Sequence, residues 1–322
     1  MTKWGIISTA HINRLVLAGA RESDEVEVVA VASRDQKRAE AYAREHEIER
    51  AYGSYDSMLA DPDIDAVYIS LPNSLHVEWS IRSLEAGKHV LCEKPFDKRP
   101  EEVERAFDAA EQAGRFLSEA FMYRHNPQTA KIKELVDGGA IGQVRFVRAA
   151  FGFSLDEIAN VRLIDDLDGG ALMDVGCYCV SGCRLIAGEP LSVYGRQVVG
   201  ESGVDILFTG TMHFADEVVS QFDCGFVMQE RDELEIVGEE GSLFLDDPWH
   251  ARVPGIEIRR ADGVEGLVLQ PVDSYRLELE NLGAAIRGEA ELLLGREDAV
   301  GQARAIDALY RSAEAGIPIA LD

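Results

Sequence analysis

The chain has 322 residues, 46% of them hydrophobic, a length sufficient for two domains with sizeable cores. Its formal net charge is −26, from 58 acidic against 32 basic residues, which argues against a nucleic-acid partner because phosphate binding requires basic patches. The longest apolar runs are too short to cross a bilayer, so no membrane partner is expected.

Strands and helices alternate over the first 120 residues. The amino end, MTKWGIIS, enters a strand directly and lacks the layout of a secretory signal, so we expect a cytoplasmic protein. The predicted strands are 4–8, 25–33, 66–70, 89–92 and 116–119. The predicted helices start near residue 11 and span 35–46, 75–86 and 100–113. This alternation is typical of a doubly wound parallel sheet.

The pattern changes after residue 127. A helix over about 127–137, a strand over 143–153 and a helix from Gly170 are predicted first. Strands then follow one another without helices, which predicts antiparallel pairing: 192–200, 205–214, 218–228, 232–237 and 242–246. Two helices, 274–287 and 296–315, come last.

These patterns predict an α/β domain followed by an α+β domain. The first, residues 1–121, is a dinucleotide-binding Rossmann domain with a doubly wound parallel sheet. The second, residues 122–322, is built on a mostly antiparallel open sheet and would bind substrate, and its C-terminal helix could pack back on the first domain. One uncovered sheet face would favour a homodimer or homotetramer.

The acidic excess is spread along the chain rather than gathered in a tail. Such a surface repels itself at low salt and resembles proteins from cells that accumulate salt. We favour this interpretation over that of an ordinary acidic protein.

The five cysteines are an odd number in a chain without a secretory layout, so disulfides are not expected. Cys177, Cys179 and Cys183 lie close together, but 177 and 179 point to different sides of a helix and no His cluster accompanies them. We interpret them as buried apolar side chains and expect no metal.

The turn after the first strand is the expected place for a Gly-x-Gly-x-x-Gly phosphate loop. Here the equivalent residues are Ser8, Thr9, Ala10, His11 and Ile12, followed by Asn13, and none is glycine. Small residues and the amides of a helix start can still face a phosphate. An ordinary strand-to-helix turn remains the alternative.

The end of the second strand bears on cofactor choice. Domains that prefer NAD place an acidic residue there to bind the ribose 2′-hydroxyl. This chain has Ser33 and Arg34, with Arg38 one turn further on. A hydroxyl and guanidinium groups suit a 2′-phosphate, so NADP is favoured and NAD remains possible.

Lys94 follows the strand 89–92 in the sequence Glu93-Lys94-Pro95. Ligands of open parallel sheets bind at the carboxyl ends of the strands. The position of Lys94 therefore predicts that its ammonium group lies over the ligand crevice.

A second group of polar residues follows the glycine pair Gly169-Gly170. Asp174 and Tyr178 are four residues apart and so share a helix face. An acid and a phenol near a cofactor could bind a sugar hydroxyl and move its proton. The alternative is a simple hydrogen bond on a surface helix.

Together these segments resemble the glucose-fructose oxidoreductase, inositol dehydrogenase and rhizopine-catabolism (Gfo/Idh/MocA) family over essentially the full chain. The matching segments are WGIISTAHI, VVAVASRD, VYISLPNSLHVEWSIRSLEAGKHVLCEKPF, EAFMYRHNPQ and GGALMDVGCY. The segments EAFMYR and DVGCY resemble the branch of D-xylose dehydrogenases and dimeric dihydrodiol dehydrogenases. The phosphate turn departs from the family at Ser8, Ala10 and Asn13.

The resemblance implies roles for individual residues. Lys94 matches the lysine that orients the reacting oxygen, Tyr178 the proton-transfer residue, and Asp174 the carboxylate that orients the substrate. Leu71, Asn73, His76 and Glu93 fall where the family contacts the cofactor. Tyr123, Arg124 and Arg162 look like residues of the substrate pocket.

The implied reaction is hydride transfer between nicotinamide and a sugar or polyol carbon, such as C1 of an aldose. A tyrosine has an ordinary pKa of about 10, and a nearby ammonium such as that of Lys94 would lower it. Tyr178 would then transfer the proton with help from Lys94. The alternatives are a non-catalytic regulator that binds NAD(P) and a redox-assisted glycosidase.

Overall fold

The structure is a computed structural model that describes residues 1–155 and 160–321. It divides into two compact units. The first comprises Met1–Met122 and Asp273–Val300, and the second comprises Tyr123–Val272 and Gly301–Asp322.

The first unit contains a six-stranded sheet in which every neighbouring pair is parallel. Its strands are β1 (Thr2–Ile7), β2 (Val26–Ala32), β3 (Arg50–Tyr52), β4 (Ala66–Ile69), β5 (His89–Glu93) and β6 (Leu117–Ala120). Its order, β3-β2-β1-β4-β5-β6, is that of a dinucleotide-binding fold. The predicted Rossmann domain is confirmed.

Helices connect these strands. They are α1 (Asn13–Arg21), α2 (Gln36–Glu45), α3 (Tyr55–Leu59), α4 (His76–Glu85) and α5 (Pro100–Ala113). Local chemistry sets their ends: Asp35 caps α2 by accepting from the Arg38 amide, and α5 ends at Gly114 in the left-handed region.

Strand β3 and helix α3 are absent from the sequence prediction. Each is too short to show a hydrophobic period, and pairing with β2 and packing of Met58 beneath the sheet stabilise them.

A segment near the C-terminal end of the chain also belongs to the first unit. Helix α8 (Ser274–Ile286) packs against α1, and its Leu279 and Leu282 join the core around Trp4. This differs from a single division after residue 121, because the apolar face of α8 is buried in the first core. Helix α9 (Arg296–Ala315) begins in the first unit and continues in the second.

The second unit contains a nine-stranded sheet of order β14-β13-β12-β11-β7-β10-β9-β8-β15. Helices α6 (Pro127–Asp137) and α7 (Cys177–Ala187) belong to this unit. The strands are β7 (Val144–Ser154), β8 (Ser192–Val199), β9 (Asp205–His213), β10 (Val219–Gly225), β11 (Val227–Gly238), β12 (Ser242–Leu245), β13 (Gly255–Arg260), β14 (Gly263–Val268) and β15 (Ile319–Ala320).

The predicted mostly antiparallel sheet is confirmed, but individual strands differ, and β11 begins at Val227 instead of 232 while β15 was not predicted. Strand β7 lies between β10 and β11 and pairs with β10 in parallel. The predicted strand 218–228 ends at Gly225, because the chain bends there to enter β11. The hairpin of β13 and β14 was not predicted, because apolar and polar residues alternate only weakly in it and β14 is almost wholly exposed.

Within the described ranges, one stretch, Asp165–Ala187, has the length and composition to cross a membrane, but 78% of its apolar window is buried. It is therefore a core segment of the second unit. The five cysteines are free and buried, as predicted.

Candidate active site

The turn after β1 takes a conformation that usually requires glycine. Ser8 has φ of 121°, in the region that residues with a side chain rarely adopt. Its hydroxyl lies 2.8 Å from that of Ser70, which follows β4, and accepts from the Ala10 amide at 3.0 Å. The Ser70 hydroxyl donates to Asn13 at 2.6 Å. These hydrogen bonds stabilise a positive-φ backbone conformation that glycine usually adopts, in a turn that contains no glycine.

This turn lies at the topological switch point of the sheet. Strands β1 and β4 are neighbours, and the strand order reverses between them. Open α/β sheets bind ligands in the crevice outside this point. The Ser8–Ser70 hydrogen bond joins the two strand ends there.

Helix α1 begins directly after the turn. Its first turn has no acidic residue, and no side chain in the described part of the chain caps it. A helix start of this kind presents backbone N–H groups and a positive dipole end to an anion. The sequence prediction for Thr9, Ala10, His11 and Ile12 is thus compatible with phosphate binding.

Two arginines stand at the end of β2. Arg38 donates from Nε to the Thr9 hydroxyl at 2.7 Å, which ties the start of α2 to the phosphate turn. Burial raises the pKa of the Tyr55 hydroxyl, while the nearby guanidinium groups of Arg34 and Arg38 act in the opposite direction. Asp35 accepts from the Arg38 amide, so one of its oxygens is occupied by the helix cap.

The end of β4 provides three of the predicted cofactor residues. Leu71 is buried, and Asn73 lies in a 3-10 turn before α4. His76 is fully buried, its Nε2 2.8 Å from the Leu71 carbonyl and its Nδ1 2.9 Å from the Pro95 carbonyl. Burial lowers the pKa of His76. The imidazole therefore lies between the segments that follow β4 and β5, and its neutral form donates to one of the two carbonyls.

Glu93 and Lys94 leave the end of β5, both half-buried. The Tyr68 hydroxyl donates to the Glu93 carboxylate. The Lys94–Pro95 peptide is cis. Lys94 therefore stands at the carboxyl edge of the sheet, where the sequence places it.

The residues before Asp174 in the second unit fold tightly because they are glycines. A Cβ on Gly169 would lie 2.5 Å from the Arg162 carbonyl, and Gly170 has φ of 120°. The Gly170 amide donates to that same carbonyl at 2.8 Å. Buried Asp205 accepts from the Leu172 amide at 2.7 Å and from Tyr310 at 2.8 Å, while burial raises its pKa.

The segment that carries Asp174 is a π-helical turn, Leu172–Gly176, followed by α7. This corrects the regular helix expected from Gly170, since the closely packed Gly176 lets the turn widen against Cys224. Turns of this kind are frequent at functional sites. Asp174 accepts from Arg162 Nε at 2.6 Å, which brings together two of the predicted substrate residues.

Tyr178 lies in an aromatic cluster and is 6% exposed. Its ring centre is 5.8 Å from that of Tyr123, 5.4 Å from Phe151 and 6.0 Å from Trp249. Tyr123 hydrogen-bonds the Ser181 hydroxyl at 2.7 Å, and Arg124 approaches the same hydroxyl at 3.5 Å. The phenol of Tyr178 therefore sits in a largely apolar wall.

Several residues of this site have no sequence signal of their own. Ser70 holds the phosphate turn, Tyr55 lies near Arg34, and Phe151 and Trp249 flank Tyr178. They come from distant parts of the chain, and only the folded sheet brings them beside the predicted residues. Ser70 alone could have been suspected, because it directly follows a strand predicted to be central.

The chain belongs to the Gfo/Idh/MocA oxidoreductase family. Residues 2–121 match the family described as "Oxidoreductase family, NAD-binding Rossmann fold", and residues 129–244 match its GFO/IDH/MocA C-terminal domain. The resemblance seen in the motifs is thereby confirmed. The chain is an oxidoreductase that uses a nicotinamide cofactor.

Relatives extend over the whole chain. The D-xylose 1-dehydrogenase (NADP(+)) 2 of Haloferax volcanii is 38% identical over 325 residues, 99% of each chain. The 3-ketoreductase KijD10 of Actinomadura kijaniata, solved with NADP and TDP-benzene, is 30% identical with a TM-score of 0.90 over 97% of each chain. An aldose-aldose oxidoreductase of Caulobacter crescentus, complexed with glycerol, is 25% identical with a TM-score of 0.93 over 99% of each chain.

Proposed function

We propose that this protein is an NADP-dependent dehydrogenase that oxidises an aldose of the xylose or glucose type at C1. The observation that carries the proposal is the full-length similarity to a D-xylose 1-dehydrogenase, together with Lys94, Asp174 and Tyr178 at the positions of the family motifs. The aromatic and polar surroundings of Tyr178 suit a sugar, which has apolar C–H faces and polar edges.

The preference for NADP follows from the end of β2. Ser33, Arg34 and Arg38 supply a hydroxyl and two guanidinium groups at or near this strand end, and Asp35 caps α2 with one carboxylate oxygen. Guanidinium groups bind a phosphate through charge-assisted hydrogen bonds. A 2′-phosphate would find donors here.

In the proposed mechanism NADP, when bound, would supply the acceptor for the hydride that leaves the sugar carbon. Tyr178 removes the hydroxyl proton, and Lys94 stabilises the oxygen as it loses that proton. Asp174, held by Arg162, orients the sugar through its hydroxyl groups. The roles of Lys94 and Tyr178 are carried over from the family motifs.

The test is a substrate screen with aldoses, polyols, diols and keto sugars, using NADP and NAD in both oxidation states. We expect NADP reduction with an aldose, strongly reduced turnover in Lys94→Ala and Tyr178→Phe, and nearly unchanged NADP binding. Lys37→Ala and Tyr194→Phe, outside the proposed site, are the matched controls. Full activity in either site variant would refute its role.

Other outcomes of the screen distinguish the remaining functions. Turnover with a keto sugar alone would identify a ketoreductase. Release of a free sugar without net cofactor change would identify a glycosidase. Cofactor binding without any turnover would identify a regulator.

The proposal also covers the cellular location and the oligomeric state of the protein. We place it in the cytoplasm, because the five cysteines are free thiols. We propose a homodimer or homotetramer, since Val198, Val264 and Val268 in strands of the second sheet are exposed. Size-exclusion chromatography with light scattering tests the assembly.

A further inference from the structure

The loop after β12 brings a histidine close to the aromatic cluster of the second unit. Trp249 is fully buried, and its indole N–H donates to the Ala150 carbonyl of β7 at 3.1 Å. Its amide approaches Asp232 of β11 at 3.5 Å. The loop is thereby fixed to two strands, and His250 follows at once.

Asp232 sets the orientation of the imidazole. This carboxylate is 6% exposed and lies 2.9 Å from His250 Nδ1, whereas the imidazole is 34% exposed. Since a carboxylate accepts, Nδ1 must donate, and in the neutral imidazole Nε2 then keeps its lone pair. In many binding sites a buried acid fixes the tautomer of a half-exposed histidine, and the other ring nitrogen of that histidine contacts the ligand.

The ring of Phe151 contacts the rings of both His250 and Tyr178. Its centre is 5.4 Å from that of Tyr178 and 5.5 Å from that of His250, edge-on in both cases. A sugar ring has an apolar C–H face that packs on an aromatic surface, and its hydroxyls project from the rim. A sugar with its reacting hydroxyl at Tyr178 can therefore pass the edge of Phe151, which is 8% exposed, and extend a second hydroxyl towards the more exposed His250.

We propose that His250 is a specificity-determining residue whose Nε2 accepts a hydrogen bond from a sugar hydroxyl remote from the reacting carbon. Asp232 acts as its positioning residue. This inference rests on the proposed function for the class of substrate, but its geometry lies wholly within the second unit.

A metal ion is the competing occupant. Asp232, Asp247 and His250 offer three ligand atoms within 4.8 Å of one another. The guanidinium of Arg252, however, lies 3.1 Å from Asp247 and 3.5 Å from Asp232. It already supplies the positive charge that the two carboxylates require, which favours the histidine as a hydrogen-bonding group.

The experiment compares wild type, His250→Ala, Asp232→Asn and the control His213→Ala, an exposed histidine of β9. Each is assayed with the preferred aldose and with analogues that each lack one hydroxyl. The loss of one hydrogen bond should lower kcat/KM of His250→Ala by about 2- to 12-fold, mainly through KM. One deoxy analogue should show no such difference between wild type and variant. Asp232→Asn should show the same pattern over analogues, more weakly.

Binding is measured separately from turnover. Calorimetric titration of the aldose into the NADPH complex, which cannot oxidise it, should show the same loss of affinity in His250→Ala and none in His213→Ala. If no sugar is oxidised but this difference in binding persists, the proposed function fails and the inference stands. If the sugar is oxidised and His250→Ala behaves as wild type, the inference fails alone.

Two further results would overturn the inference. An equal loss with every analogue would mean that His250 supports the fold only. Loss of activity in EDTA with recovery on adding Zn²⁺ or Mn²⁺, abolished in His250→Ala, would assign the cluster to a metal.

Discussion

Arg162 and Asp174 form an ion pair, with Nε 2.6 Å from Oδ2, across the glycine pair that separates them in sequence. Asp174 is 17% exposed and Arg162 40% exposed, so the pair is partly accessible to solvent. The Arg162 side chain also contacts Asn160 at 3.4 Å. Arg162 therefore holds the Asp174 carboxylate in one orientation.

This pair predicts coupled effects on substrate binding. Arg162→Ala and Asp174→Asn should each raise the KM for sugar, because either change releases the Asp174 oxygens from their fixed orientation. The double variant should be no worse than Asp174→Asn, since residues in contact are not additive. Steady-state kinetics on the four proteins measures this coupling, and additive losses would show that Arg162 acts independently of Asp174.

Arg34 should determine the choice between the two cofactors. Arg34→Ala should weaken NADP binding by about 10- to 100-fold, because a hydrogen bond to a charged group is lost. NAD binding should change little. Fluorescence titration with NADPH and NADH measures both affinities, with the exposed Arg44→Ala as the control. Equal weakening of both cofactors would remove Arg34 from the 2′-phosphate site.

Ser8 should tolerate glycine but not a branched residue. Ser8→Gly relieves about 1 kcal/mol of backbone strain and loses a hydrogen bond of similar value, so the free energy of unfolding should stay within about 1 kcal/mol of wild type. Ser8→Val adds strain and should cost about 2–4 kcal/mol. Denaturant unfolding tests this, with exposed Ser202→Val as the control. Equal stabilities for the Gly and Val variants would contradict the glycine-like conformation of Ser8.

Glu278 should make stability depend on pH. It is 1% exposed, and neither carboxyl oxygen has a hydrogen-bond partner among the described residues. Burial first, then the charges of Glu93 and Asp273, raise the pKa of Glu278 well above its ordinary 4.5. The folded state therefore keeps a proton that the unfolded state loses above that pH, so stability falls as pH rises, by at most about 1.4 kcal/mol per pH unit.

Glu278→Gln keeps the shape of the protonated acid and removes the titration. Its advantage over wild type in free energy of unfolding should be small near pH 5 and should grow towards pH 8. Urea unfolding across this range measures the difference, with exposed Glu291→Gln as the control. A difference that stays constant with pH would show that Glu278 is not protonated in the folded protein.

Salt should stabilise the acidic surface. Repulsion among charges that sum to −26 weakens as the Debye length falls from about 10 Å at 0.1 M to about 3 Å at 1 M. The unfolding temperature should therefore rise from 0.1 to 2 M KCl. Sorbitol at equal osmolality is the uncharged control, and an equal rise in sorbitol would exclude a specific effect of charge.

Much of the first unit was accessible from the sequence because its elements depend on local patterns. The apolar run before Ser8, the cap at Asp35 and the stop at Gly114 each act within a few residues. The second unit was less accessible. The insertion of β7 between β10 and β11, and the hairpin after residue 254, depend on pairing between distant segments.

Some residues of the candidate site could likewise be predicted from the sequence, and others could not. Lys94, Asp174 and Tyr178 could be identified from motifs, because the end of a strand and the spacing along a helix can be recognised from neighbouring residues in the sequence. Tyr55 behind Arg34, Ser70 behind Ser8 and Asp232 behind His250 could not, since each partner lies on another strand or helix.

The sequence by itself determined which chemical groups this protein carries and the parallel sheet that presents Lys94 at a strand end. Only the tertiary structure decided how those groups are held: a serine in place of glycine at the switch point, a fully buried His76, and a π turn that offers Asp174 to Arg162. The physical reason is the separation along the chain over which each kind of interaction acts. Backbone preference and hydrophobic period act between near neighbours, whereas hydrogen bonds that orient a side chain join residues that only the completed core brings together.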